Sequence, residues 1–371
     1  MIGRDDRSVA GGKPERSDEV TDGLEILPVR GIGDVTAGDD LAELITNAAP
    51  WLCDGDVLVV TSKIVSKAEG RMVDVPADGP EREAVREEIL ASETARVVAR
   101  RGPTAIVQTH HGFVMAAAGI DASNVDKTHL VLLPADPDGS ARELRAALLR
   151  RGLDVGIIIS DTMGRTWRNG LTDVALGAAG VEPFRDHRGE IDPYGNELQL
   201  TQMAVIDELA GAGELVKGKR DQVPVAVVRG YPGAGLGESA GAVALVRDAA
   251  SDMFSLGTAE ARAEGLRDAA VLPDDLSRSV PGKAVDTAAV DRALTTVTGH
   301  LAPGTAVTPA EILPENGATA GLRLTPPETT TAAWLRLGAD AHRLRAALAA
   351  EGVASAPLPE SDGVLLALYA A

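Results

Sequence analysis

The sequence predicts a mixed α/β protein of the α+β class, with a small α/β domain following the main one. Three observations point there. Short β-branched apolar runs (Val57–Val60, Ile157–Ile159, Val223–Val228) read as strands buried on both faces. Ala-rich segments between them, such as Ala37–Ala49 and Ser140–Arg151, repeat apolar residues at helical spacing. From Ser251 onward Ala, Thr, Pro and Leu dominate and chemistry-bearing side chains thin out. These features divide the 371 residues into a disordered tail over 1–22, a main domain over 23–250 and a second domain over 251–371.

Composition excludes several classes of function. A net charge of −19 leaves no basic surface to displace phosphate counterions, and with three each of Trp, Tyr and Phe base-stacking platforms are not expected, so no nucleic-acid partner is expected. No apolar run approaches the roughly 18 residues of a membrane span. The charged first residues lack the apolar core of a secretory signal, and the single cysteine, Cys53, excludes an internal disulfide, so a reducing cytoplasm is expected. Anionic substrates must then be held by local cations or metal ions against the overall field.

The elements follow in order. Leu24–Val29 reads as a short strand. Ala37–Ala49 reads as a helix opened by Thr36 or Asp39 and ended by Pro50. Asp54-Gly55-Asp56 is a turn, after which Val57–Val60 runs straight into Thr61-Ser62-Lys63-Ile64-Val65-Ser66-Lys67. Hydroxyls and lysines at a strand end suit phosphate or ribose, although no GxxxxGK[ST] motif occurs, and an exposed loop is the alternative. Glu81–Arg101 reads as one long charged helix, and Thr104–Thr109 and Phe113–Ile120 as strands joined by a turn at His110 and His111. Leu130–Leu133, Ser140–Arg151 and Val155–Ile159 form a βαβ-like unit. Asp192–Glu197 is a polar turn, Leu198–Gly211 a helix, and Leu215–Lys219 brings two lysines close together.

Two apolar strands end in a carboxylate: one at Gly119–Asn124 with Asp121, the other at Ile157–Gly170 with Asp161 and Thr162. Oxygen ligands on a rigid strand end suit Mg²⁺ or Mn²⁺, and two carboxylates that converge would repel unless a cation lay between them. The alternative for Asp161 is a helix N-cap. Arg165 and Arg168 lie just beyond, and guanidinium pairs bidentately with phosphate or carboxylate. A further segment, Gly237-Glu238-Ser239-Ala240-Gly241, matches G-x-S-x-G, which admits a serine hydrolase built on Ser239 as a competing function. The preceding Tyr-Pro-Gly-Ala-Gly loop fits a nucleophile elbow poorly.

VVTSKIVSKAEGR, AAAGIDASNVD, SDTMGRTWRNG and DPYGNELQLT are long and unusual, and together they resemble the coenzyme F420:L-glutamate ligase family over roughly Leu24–Val246. The resemblance implies a cytoplasmic enzyme of coenzyme F420 biosynthesis. Such an enzyme uses GTP to add L-glutamate through γ-linkages to coenzyme F420-0, by way of an acyl phosphate. It implies an intertwined two-subdomain core and a homodimer. It also implies metal ligation by Asp121, Asp161 and Thr162, with two Mg²⁺ or Mn²⁺ ions and room for K⁺. Ile32, Gly33, Asp34, Val35, Ser62, Lys67 and Asn124 match GTP-contacting positions, with Thr61 and Lys217-Gly218-Lys219 as weaker candidates. Arg165 and Arg168 are expected, from their chemistry alone, to clamp phosphate or carboxylate during catalysis.

Bacterial two-domain members are similar in carrying a nitroreductase-like FMN domain after the ligase. Phe254–Glu260 resembles the start of that linker, and Leu344–Ser355 its late helix. The remaining length is short for a flavin domain, and Leu276-Ser277-Arg278-Ser279 keeps a single arginine where several would hold the phosphate. A shortened domain that does not bind FMN is expected.

Overall fold

The computed structural model describes residues 23–370, apart from 124, 220, 235–236, 274–283, 313–317 and 319. The expected tail over 1–22 therefore lies outside the described residues. The chain divides into two compact units between Thr258 and Ala259.

The first unit is built on a mixed five-stranded sheet of β1 (Glu25–Val29), β2 (Val57–Thr61), β8 (Gly156–Arg165), β9 (Arg168–Ala179) and β12 (Val225–Arg229). Its order is β1-β12-β2-β8-β9, and β2 and β8 run parallel while every other neighbour pair is antiparallel. Helices cover both faces, which is why the central strands are continuous apolar runs. On one face Leu58, Val60, Ile157 and Ile159 pack with α1 (Leu41–Ala48) and α4 (Pro137–Arg150). On the other, Val57, Val59 and Ile158 pack under Val205, Ile206, Leu209 and Ala210 of α5 (Val205–Lys217). Asp40 caps α1 through the Glu43 N–H, one residue beyond the expected Asp39.

Around this sheet lie α2 (Ser62–Ala68), β3 (Met72–Asp74) with β7 (His129–Val131), and α3 (Gly79–Ser92). A three-stranded sheet holds β4 (Thr94–Arg101), β5 (Thr104–Thr109) and β6 (Val114–Ala116), and a ribbon holds β10 (Phe184–Asp186) and β11 (Gln202–Ala204). Three expectations are corrected. The long charged helix stops at Ser92, and Thr94–Arg101 becomes β4 hydrogen-bonded to β5, because its β-branched residues have a strand partner. β7 pairs with β3 rather than β8, so no βαβ unit runs through α4. The helix expected from Leu198 begins at Val205, after β11.

The second unit opens with α6 (Thr258–Ala270) and lays α7 (Thr287–Val297) and α8 (Thr331–Ala350) on an antiparallel sheet. That sheet holds β13 (Ala306–Ala310), β14 (Ala320–Thr325), β15 (Val353–Pro359) and β16 (Val364–Ala370) in the order β13-β14-β16-β15. Leu322, Leu324, Leu337, Leu344, Leu348, Leu366 and Leu368 fill its core. Leu344–Ser355 spans the end of α8 and the start of β15. The Leu276–Ser279 stretch lies outside the described residues.

Candidate active site

Parallel pairing of β2 and β8 sets Thr61, the last residue of β2, opposite Ser160 in the middle of β8, so the start of α2 and the polar half of β8 lie side by side. Asp161 is not a helix cap. β8 continues past it to Arg165 as one arm of a hairpin with β9, with a register shift between Ile159 and Ser160.

Successive residues of a strand point to opposite faces, and the partners show which is which. Ser160 and Thr162 face α5. The Ser160 hydroxyl donates to Asp173 Oδ2 at 2.9 Å and the Thr162 hydroxyl to Asp173 Oδ1 at 2.7 Å. Lys217 Nζ, on the last turn of α5, donates to Asp173 Oδ2 and Ser160 Oγ, both at 2.9 Å, and lies 3.5 Å from Glu214. The Lys217 and Asp173 side chains are each only 3% exposed; burial works against the Asp173 charge, but the Lys217 charge together with the hydrogen bonds from Lys217, Thr162 and Ser160 holds its carboxyl below the usual range. Lys219 Nζ donates to Thr162 Oγ1 and pairs with Glu214 at 3.0 Å.

Asp161 lies between Ser160 and Thr162 on β8, and so on the opposite face. Burial pushes its carboxyl up to about 6; the Thr162 N–H opposes that shift at 2.8 Å, while the nearby charges of Asp121 and Asp173 add to it. Asp121 bridges to the end of β7 through Val131. Burial also works against its charge, but Lys63 at 2.7 Å, with the Ser123 N–H and hydroxyl, holds its carboxyl below the usual range. Lys63 stands on the first turn of α2, which the parallel β2–β8 pair sets beside Asp161. The structure therefore brings Asp121 and Asp161 together from sequence positions forty residues apart.

Of the three clustered carboxylates, Asp121 has Lys63 and Asp173 has Lys217. Asp161 has no ion-pair partner among the described residues, so the uncompensated charge falls on it. The donors are hard oxygens suited to Mg²⁺ or Mn²⁺. Among the described residues no three His, Cys, Asp or Glu side chains stand close enough together to hold a metal ion. An ion held by Asp121 and Asp161 would have to draw its remaining oxygens from water and phosphate, as Mg²⁺ does.

A family model described as F420-0:Gamma-glutamyl ligase matches residues 31–230, more than half of the chain. The chain belongs to this family. Among curated relatives, it is 40% identical over 249 residues to the coenzyme F420:L-glutamate ligase of Methanothermobacter thermautotrophicus, covering 62% of this chain and 99% of the relative. The Methanopyrus kandleri and Archaeoglobus fulgidus proteins of the same name are 43% and 42% identical. They cover 56% and 58% of this chain and 87% and 90% of their own lengths.

Within this F420-0:gamma-glutamyl ligase domain the remaining predicted positions fall unevenly. Ser62 is buried at the start of α2 and Lys67 half-buried on its last turn. Ile32 and Val35 are buried in the main core, leaving Gly33 and Asp34 exposed between them. Asn124 lies outside the described residues. Arg165 and Arg168 are exposed at the tip of the β8–β9 hairpin, where Arg165 Nη2 donates to the Asn169 carbonyl at 3.3 Å. At about 3.3 Å per residue, Arg165 stands roughly 13 Å along the strand from Asp161. The structure does not gather these arginines into the carboxylate cluster.

The serine-hydrolase reading of Ser239 is not supported. Its hydroxyl is spent on the Val181 carbonyl at 2.6 Å, and among the described residues no strand runs into the segment. The segment is held instead by buried Asp138, which accepts from the Ala178, Ala242 and Val243 N–H groups. His110 and His111 each engage a backbone carbonyl, of Ser92 and of Ala135, in the expected turn. Sequence reasoning passed over Asp173 and ranked Lys217 only as a weak nucleotide contact. The available signal was a charged residue bordering an apolar run, as in Thr172-Asp173-Val174-Ala175-Leu176.

Proposed function

We propose that this chain adds L-glutamate to coenzyme F420-0 through γ-linkages, using GTP, in coenzyme F420 biosynthesis. The observation that carries the reading is the convergence of Asp121 and Asp161 beside Lys63 and the start of α2, in a chain of this family. Asp121, Asp161 and Thr162 would hold divalent ions. Because Asp161 and Thr162 point to opposite faces of β8, the donor set suits two ions better than one. When bound, the ions supply positive charge against the phosphoryl oxygens.

The chain's own residues do the rest. Ser62 and Lys67 contact the triphosphate, with Lys67 offsetting its charge. A free carboxylate of coenzyme F420-0 attacks the γ-phosphorus; one O–P bond forms, the bond to the β-phosphate oxygen breaks, and GDP leaves. The glutamate α-amine then attacks the acyl carbon, a C–N bond forms, phosphate departs and the amine loses a proton. Carboxylates are poor acyl donors, which is why the phosphoryl step comes first. Arg165 and Arg168, on the exposed hairpin, would clamp the outer carboxylates of the acceptor or the growing chain rather than the transferring phosphate. The family resemblance extends to a homodimer, and exposed Trp167, Leu171, Tyr194 and Leu200 are apolar side chains that such an interface would cover.

The deciding experiment incubates the protein with coenzyme F420-0, L-glutamate, GTP and Mn²⁺ and reads product masses. Products heavier by whole glutamate residues, and only when GTP is present, are expected. Unchanged coenzyme, or addition without GTP, refutes the proposal.

A further inference from the structure

We propose that Asp173, held in place by Lys217, is a positioning residue that fixes the Thr162 hydroxyl for ion binding. The inference rests on the metal reading above and extends it to two residues behind the ligand set.

A hydroxyl has one proton and two lone pairs. The Thr162 proton is committed to Asp173 Oδ1, so its lone pairs are turned away from that carboxylate. One of them accepts from Lys219, whose side chain is 63% exposed and also pairs with Glu214, leaving the other lone pair for an ion. Asp173 is itself locked: Oδ1 takes Thr162, while Oδ2 takes both Ser160 and Lys217. Its charge is cancelled by an ammonium as deeply buried as itself, so it serves as an acceptor and not as a competing ligand.

A buried ion pair is weak support for stability, because desolvation opposes the attraction. Lys217 and Asp173 are nonetheless kept at the end of an otherwise apolar sheet, directly behind Thr162 and one residue from Asp161. The cost is understandable if the pair sets the orientation of a ligand. The packing that delivers Lys217 is tight: a Cβ on Gly213 would lie 2.8 Å from Val59 Cβ, so α5 approaches β2 as closely as a glycine allows.

The test measures Mn²⁺ binding to the full chain by electron paramagnetic resonance, without substrates. Asp173→Asn should weaken Mn²⁺ binding about 10- to 100-fold, the range for removing a hydrogen-bond partner of a metal ligand. In a Thr162→Val background the same substitution should cost nothing further, since Asp173 acts through the hydroxyl. Unchanged binding in Asp173→Asn, or losses that multiply in the double variant, would overturn the proposal. If circular dichroism shows that Asp173→Asn does not fold, Thr162→Ser against Thr162→Val decides. The serine variant should hold Mn²⁺ near the wild-type level and the valine variant should lose it; equal affinity overturns the idea. A wild-type protein that binds no Mn²⁺ refutes the metal reading itself and this inference with it, whereas unchanged variants refute this inference alone.

Discussion

Replacing Asp161 by Asn should make the ligand-free protein more stable while removing its function. Asp161 is a carboxyl whose pKa rises from 3.8 to about 6 in the folded chain, chiefly through burial. The folded state therefore holds the proton more tightly than the unfolded state does. The resulting penalty is absent below the unfolded value, grows as pH rises between the two values, and is complete above the folded one. At 1.36 kcal/mol per unit, the rise corresponds to about 3 kcal/mol, an upper figure because part of the side chain still meets solvent. Asparagine keeps an oxygen for the Thr162 N–H and carries no charge, so the variant should gain about 1 to 3 kcal/mol above neutral pH and almost nothing near pH 4. Urea unfolding with a chelator present, at several pH values, reads this directly. A variant no more stable than wild type at about pH 8, or a gain that persists unchanged into acid, would refute the reasoning. The same titration with Mn²⁺ should invert the order, because an ion that binds only the folded wild type stabilises it. Binding should weaken below about pH 6, as the ion must displace the proton.

Other outcomes follow from the same coordinates. Gly213→Ala should push α5 off β2, costing about 1 to 3 kcal/mol of stability in thermal or urea melts and weakening Mn²⁺ binding through Lys217. Arg229→Ala should destabilise the first unit by about 2 to 4 kcal/mol. It strips buried Asp56 of its two-pronged partner at 2.8 Å while leaving Mn²⁺ affinity alone, and Asp56→Asn in the same background should recover part of the loss. The purified protein should show no flavin band in its visible spectrum; a yellow preparation would overturn the expectation for residues 251–371. A fluorophosphonate probe should leave Ser239 unlabelled, since its hydroxyl is tied to Val181.

Four of the five strands of the main sheet and the family were readable from the linear chain, whereas β9 was not, and Asp161 lies within β8 and Asp121 beyond β6 rather than at strand ends. Apolar β-branched runs have few other solutions, and long unusual motifs identify a family. The limits of the helices were not readable. Thr94–Arg101 is strand because β5 lies beside it, and no local pattern encodes the presence of a neighbour. The reach of β8 beyond Asp161 was hidden for the same reason, since its polar second half is a strand only through pairing with β9.

Sequence alone nominated the candidate side chains: Asp121, Asp161, Thr162 and the lysines after β2. Tertiary structure decided which of them share a space and which charges cancel. Lys63 neutralises Asp121 across 58 residues and Lys217 neutralises Asp173 across 44, leaving Asp161 as the carboxylate with charge to spare. Charge balance in a cluster depends on distances through space, and a one-dimensional pattern does not hold those distances.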